Sequence, residues 1–189
     1  DTWGTTTFID DAKSASDPHF YPSLAIDNAG YLHIAYGCHN TQLYYRKSIL
    51  PFNVGSWGSV VNPVAHATYP RFAHDSTTNK LFLLYRGTGV AHISLQVLGS
   101  AATTWSNPRN IVSVGSGDGV IPPAAYAGDF RLINGTLHLV WSWRRSYGVI
   151  DDYYHVYHAL STDEGTTWKT ADGSIQSLPM TQNLTPRVF

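Results

Sequence analysis

Histidine is the side chain most able to do chemistry in this sequence: nine occur in 189 residues, and what matters is which of them face one cavity. An imidazole ordinarily titrates near neutrality, so a histidine at the mouth of a site can take or give a proton in a reaction. His19 and His39 fit that role, because both lie in polar, irregular stretches, Asp17-Pro18-His19-Phe20 and Gly37-Cys38-His39-Asn40. His33 and His138 occupy matching places in repeated strand sequences and read as structural. His155 and His158 are three apart in a Tyr-rich strand, which puts them on opposite faces and argues against a shared metal. Glutamate occurs once, at Glu164, so a hydrolase dependent on a Glu has almost no candidate in these residues. Lys and Arg total twelve against thirteen Asp and Glu, a formal net charge of −1, which gives no broad field for nucleic acid or an anionic membrane. An anionic substrate must therefore be held by local Arg or His.

The elements that position these groups read as almost entirely β. Short alternating runs rich in Tyr, Val, Ile and Trp recur between clusters of Gly, Asn, Asp and Pro. The clearest strands are Tyr31 to Tyr36, Leu81 to Tyr85 and Leu137 to Trp141, each preceded by a turn: Asp27 to Gly30, Asp75 to Asn79, and Asn134-Gly135. These belong to a longer repeat. Tyr21-Pro22-Ser23-Leu24-Ala25-Ile26-Asp27 lies on Tyr69-Pro70-Arg71-Phe72-Ala73-His74-Asp75, and a looser third copy begins at Ala127, with starts 48 and 58 residues apart. That spacing fits four-stranded propeller blades with insertions. Ser161-Thr162-Asp163-Glu164-Gly165-Thr166-Thr167-Trp168 matches the Asp-box pattern S-x-D-x-G-x-x-W, whose Asp ties a hairpin and whose Trp packs between blades. Its role is structural. The expected fold is one all-β domain over residues 1–189, a β-propeller of which this chain holds about four blades, or a part of such a domain. An exposed blade edge would then need the remaining propeller segment to cover it.

A single cysteine, Cys38, rules out an intrachain disulfide, and no run approaches the roughly 18 apolar residues of a membrane-spanning helix. The sequons Asn134-Gly135-Thr136 and Asn183-Leu184-Thr185 allow N-glycosylation of a secreted protein.

The stretches His19 to Asp27, Gly30 to Ile34, Gly37 to Asn40 and Leu43 to Ser48 resemble the opening blades of the β-propeller polysaccharide lyases, the ulvan lyases and the fungal rhamnose-glucuronate lyases. The likeness continues through Tyr69 to Phe72, Leu84 to Gly87, Leu137 to Arg144 and the Asp-box. It implies a propeller of about seven blades when complete, and a lyase that cleaves at the 4-position of a uronic acid in an anionic polysaccharide. By the same resemblance His19, His39 and Tyr85 form the catalytic set, with His39 or Tyr85 as base and His19 on the carboxylate. The arginine expected to neutralise the uronate lies a little beyond Tyr85-Arg86-Gly87, where this chain has Gln96, so Arg71, Arg86 and Arg144 are the candidates. Trp57, Trp105, Trp141 and Trp168 read as core, whereas Trp143, Tyr147 and Tyr126 stand near loops and can stack a sugar ring. No cofactor is required by the sequence; the resemblance allows Ca2+, though no ligand-spacing motif demands it. Two other functions compete: a sialidase-like glycoside hydrolase and a carbohydrate-binding propeller without catalysis.

Overall fold

Each strand pair closes on a turn held by its own side chains. In the Asp27 turn the Asp27 carboxylate accepts the N–H groups of Ala29 (3.0 Å) and Tyr31 (2.9 Å). Gly30 there has φ +84°, and the Phe52 ring lies 2.3 Å from where a Cβ would stand, so both conformation and space require glycine. The computed structural model describes residues 5–11, 19–87, 92–113, 124–145 and 152–181.

Among the described residues twelve strands form two antiparallel sheets. The first runs in chain order through β1 (Ser23–Ile26), β2 (Leu32–Tyr36), β3 (His39–Lys47), β4 (Val61–Asp75), β5 (Lys80–Gly87), β6 (Ile93–Leu98) and β7 (Arg109–Val112). The second holds β8 (Ala124–Ile133), β9 (Thr136–Arg145), β10 (Asp152–Ser161), β11 (Trp168–Lys169) and β12 (Ile175–Gln176). The chain is thus all-β and antiparallel, as expected. Long β4 explains why seven strands share a sheet: its first half pairs with β3 and its second half with β5, so it passes from one blade to the next. Among the described residues the strands fall into three blade-sized layers, and segments such as 49–60 and 99–108 are spent on loops.

β5 lies between two cores, which is why Leu81-Phe82-Leu83-Leu84-Tyr85 reads as one apolar run without alternation. Phe82 and Leu84 join Ile93, Leu95, Trp141, Tyr157 and Trp168 in the core between the second and third layers. Leu81, Leu83 and Tyr85 join Ala35, Cys38, Leu43 and Ala67 between the first and second. The 161–168 turn clamps the third layer to the second. Asp163 accepts the Thr167 N–H at 2.8 Å, Ser161 Oγ accepts the Gly165 N–H at 2.8 Å, and Trp168 is fully buried. At Gly165, φ +78°, a Cβ would meet Leu95 at 2.3 Å, so the turn seats directly on the second layer. Lys80 reaches across to Glu164 at 2.5 Å. Turns at 27–30, 75–79 and 161–168 all lie at one end of the layers. His39, Tyr69, Arg86 and Tyr126 lie at the other.

Candidate active site

Tyr69 organises the site, and the backbone puts it there. Pairing of β4 with β5 slips between Thr68 and Arg71, and Pro70 falls inside the irregularity, where its missing N–H interrupts no ladder bond. Tyr69 takes φ +54°, a left-handed conformation that a bulky residue keeps only when its surroundings enforce it. Thr68 beside it is fully buried, and its hydroxyl accepts the Asn40 N–H at 2.9 Å, which ties the start of β3 to the kink. His39 is thereby held next to Tyr69.

Four aromatic side chains and two arginines converge on this point. The His19 and His39 rings stack with centroids 4.4 Å apart and planes 25° apart. Each lies 6.2 Å from the Tyr69 ring. Tyr126, from the first strand of the third layer, stands 6.0 Å from Tyr69 on the far side. The Arg86 guanidinium carbon sits 5.0 Å from the Tyr69 centroid and 4.5 Å from that of Tyr126, in cation–π contact with both. Arg144 donates to the Tyr126 hydroxyl at 3.1 Å. Arg86 is only 8% exposed, and among the described residues no carboxylate pairs with it. A buried cation that meets two tyrosine rings and no carboxylate among the described residues suits an incoming anion.

The structure brings together His19, His39, Arg86 and Arg144 of the residues expected from sequence. It places two others away from this cluster. Tyr85 is 2% exposed and lies on the face of β5 opposite Arg86, as strand alternation demands. Burial pushes its hydroxyl up to about 12, against a hydrogen bond with Ser94, and its ring lies outside the contacts among His19, His39, Tyr69 and Tyr126. Trp143 is fully buried, edge-on to Tyr157 in the core, and offers no face to a sugar. Arg71 points between layers and donates to the Ala127 carbonyl at 3.4 Å, outside the ring contacts. Tyr147 lies outside the described residues. Gln96 is buried on the Tyr85 face and donates to the Ser106 carbonyl at 2.8 Å, so its position belongs to packing.

Tyr69 is the residue at the centre of this cluster that the sequence reading does not single out. Its alignment with Tyr21 made it look like one more repeat position; the distinguishing signal is a Tyr-Pro inside a strand that must change partners. The described residues contain no group of three His, Cys, Asp or Glu arranged to hold a metal ion.

Residues 1–187 match the BNR repeat-containing family. The chain belongs to that family. This BNR repeat-containing chain is 23% identical over 206 residues to the ulvan lyase of Nonlabens ulvanivorans, an alignment covering 91% of the chain and 42% of that protein. Its fold superposes on an ulvan lyase of polysaccharide lyase family PL25 with a TM-score of 0.77 at 18% identity, covering 95% of the chain and 48% of that structure. A second structure of a PL25 ulvan lyase, bound to -[GlcA(1-4)Rha3S]-, also gives 0.77, at 17% identity. The chain spans about half the length of these relatives. The propeller-type fold expected from the repeats is therefore shared.

Proposed function

We propose that this chain carries the active-site cluster of a polysaccharide lyase that cleaves the bond at the 4-position of a uronic acid by β-elimination. The observation that carries the reading is Arg86: a buried guanidinium flanked by Tyr69 and Tyr126, with no carboxylate partner among the described residues, beside two stacked histidines. A uronate carboxylate supplies the missing charge. With its carboxylate on Arg86, the sugar's weakly acidic C5–H becomes removable, because the cation stabilises the enediolate that forms. His39 takes the C5 proton, the C5–H electron pair becomes the C4–C5 double bond, and the C4–O bond breaks. The Tyr69 hydroxyl returns a proton to the departing oxygen. His19, stacked on His39, helps to hold the carboxylate and the base in place. No water enters the products.

The relatives support the substrate class: all three are ulvan lyases, and one of these structures was determined with a glucuronate–rhamnose sulfate segment bound. We assign this chain a uronate–rhamnose polysaccharide of the ulvan type, encountered outside the cell. Asn134, the acceptor of the first sequon, is exposed in the β8–β9 turn, where a glycan can be attached. The sole glutamate is bound to Lys80 in the Asp-box turn at the opposite end, which leaves a Glu-dependent hydrolase without its residue at this cluster. Incubation with ulvan should generate unsaturated uronate, seen as rising ultraviolet absorbance, and His39→Ala should remove it while the circular dichroism spectrum stays unchanged. Full activity in that variant would take His39 out of the reaction.

A further inference from the structure

Beside the cluster stands an aromatic ring with no structural task to explain it. Tyr21 is 58% exposed, although large aromatic side chains of a folded chain are mostly covered. Its ring stacks on that of Tyr69, centroids 6.2 Å apart and planes 30° apart, so it extends the ring contacts outward from the reacting centre. Tyr69 in turn contacts Tyr126 at 6.0 Å.

The local chain holds Tyr21 in that place. Pro22 restricts the residue before it to extended backbone. In the same short segment Phe20 and Pro22 line a cleft whose other walls include Phe8, Ile9, Ile34 and Tyr36. Phe20 also meets the His39 ring edge-on at 6.3 Å. His19 and Tyr21, on either side of Phe20, both bring their rings to Tyr69, and His19 also stacks on His39. The Tyr21 ring is therefore exposed and pre-positioned, a combination that serves binding rather than core packing.

We infer that Tyr21 is the platform of a second sugar subsite, which takes the pyranose ring next to the uronate by stacking on its C–H face. A deoxy sugar suits it, since its C–H face offers apolar surface to the ring. This inference rests on the lyase reading, in which Arg86 fixes the uronate and the neighbouring sugar must lie to one side of it. Tyr21 contributes to binding equally in the ground and transition states, so its effect falls on KM.

The test uses the full-length protein acting on ulvan, with Tyr21→Ala, Tyr21→Phe and Tyr21→Trp compared with wild type. Tyr21→Ala is expected to raise KM by roughly 3- to 10-fold, the range of a single aromatic contact, with kcat within about twofold. Tyr21→Phe and Tyr21→Trp should keep the wild-type KM, because the face and not the hydroxyl does the binding. An unchanged KM in Tyr21→Ala, or a loss in Tyr21→Phe as large as in Tyr21→Ala, overturns the subsite. A fall in kcat alone also overturns it, since Tyr21 would then act by positioning Tyr69. Should wild type yield no unsaturated uronate, the lyase reading fails on its own. The same variants are then run by affinity electrophoresis in ulvan-containing gels, where equal retardation of wild type and Tyr21→Ala overturns the subsite separately.

Discussion

Replacing Arg86 by methionine separates a binding cation from a structural one. The guanidinium is 8% exposed, and holding a charge so far from water costs several kcal/mol. Its two tyrosine contacts, at 4.5 and 5.0 Å, return roughly 1 kcal/mol each. Methionine has a similar reach and no charge, so Arg86→Met gives up about 2 kcal/mol of cation–π attraction and removes a desolvation penalty at least as large. The thermal midpoint should therefore stay within about 4 °C of wild type or rise. Activity should respond very differently. Removing one partner of a buried charge pair costs about 2–5 kcal/mol, which lowers kcat/KM by roughly thirty- to five-thousand-fold. The assay is initial rate of unsaturated uronate formation across substrate concentrations, alongside a thermal melt of the same preparation. A kcat/KM within about threefold of wild type would refute the role of Arg86 as carboxylate partner. A midpoint lower by more than about 10 °C would show that the cation holds the fold together.

Tyr69→Phe keeps the kinked backbone and ring contacts but removes the proton donor, so kcat should fall by about 10²- to 10⁴-fold with an unchanged melt; Tyr85→Phe, in the core, should leave kcat intact, and the reverse pattern would restore Tyr85 as the catalytic tyrosine. Trp143→Ala should destabilise the fold by about 3–5 kcal/mol in urea unfolding, since it empties a fully buried site, whereas a stable variant with raised KM would make Trp143 a sugar contact after all. Stability should fall as pH drops below 6.5, the ordinary histidine value, because burial chiefly, against the Asp27 hydrogen bond, holds His33 below it in the folded state. The unfolded chain then binds the proton first, so the contribution of His33 is complete above 6.5 and is lost as pH falls toward the folded value. His33→Gln should flatten the slope of urea midpoint against pH on the acid side, and an unaltered slope would place the linkage elsewhere.

The strands, their turns and the Asp-box were legible because each is local: a period of two, a glycine that a turn requires, and a tryptophan at a fixed offset. His19 and His39 were legible because they interrupt that regularity. Tyr85 and Tyr69 could not be told apart in the same way. β5 is apolar on both faces, so alternation states that Tyr85 and Arg86 point apart without stating which of them faces the site. That depends on the slipped pairing at Tyr69-Pro70, a property of two strands together. Trp143 was decidable: Leu137, Leu139, Trp141 and Trp143 share one face by the period-two rule, and Trp141 already reads as core. The His138–His158 contact, 3.1 Å between ring nitrogens, joins two strands whose register the sequence does not reveal.

Product analysis of wild-type protein on a 4-linked uronate polymer such as ulvan tests the central claim most directly. β-Elimination predicts products that carry a C4–C5 double bond, with ultraviolet absorbance rising in step with new reducing ends and a mass lower by one water than the hydrolytic products. New reducing ends without that absorbance would mean hydrolysis, and no cleavage of any uronate polymer would mean that the Arg86 cluster binds glycan without breaking it; either result contradicts the account.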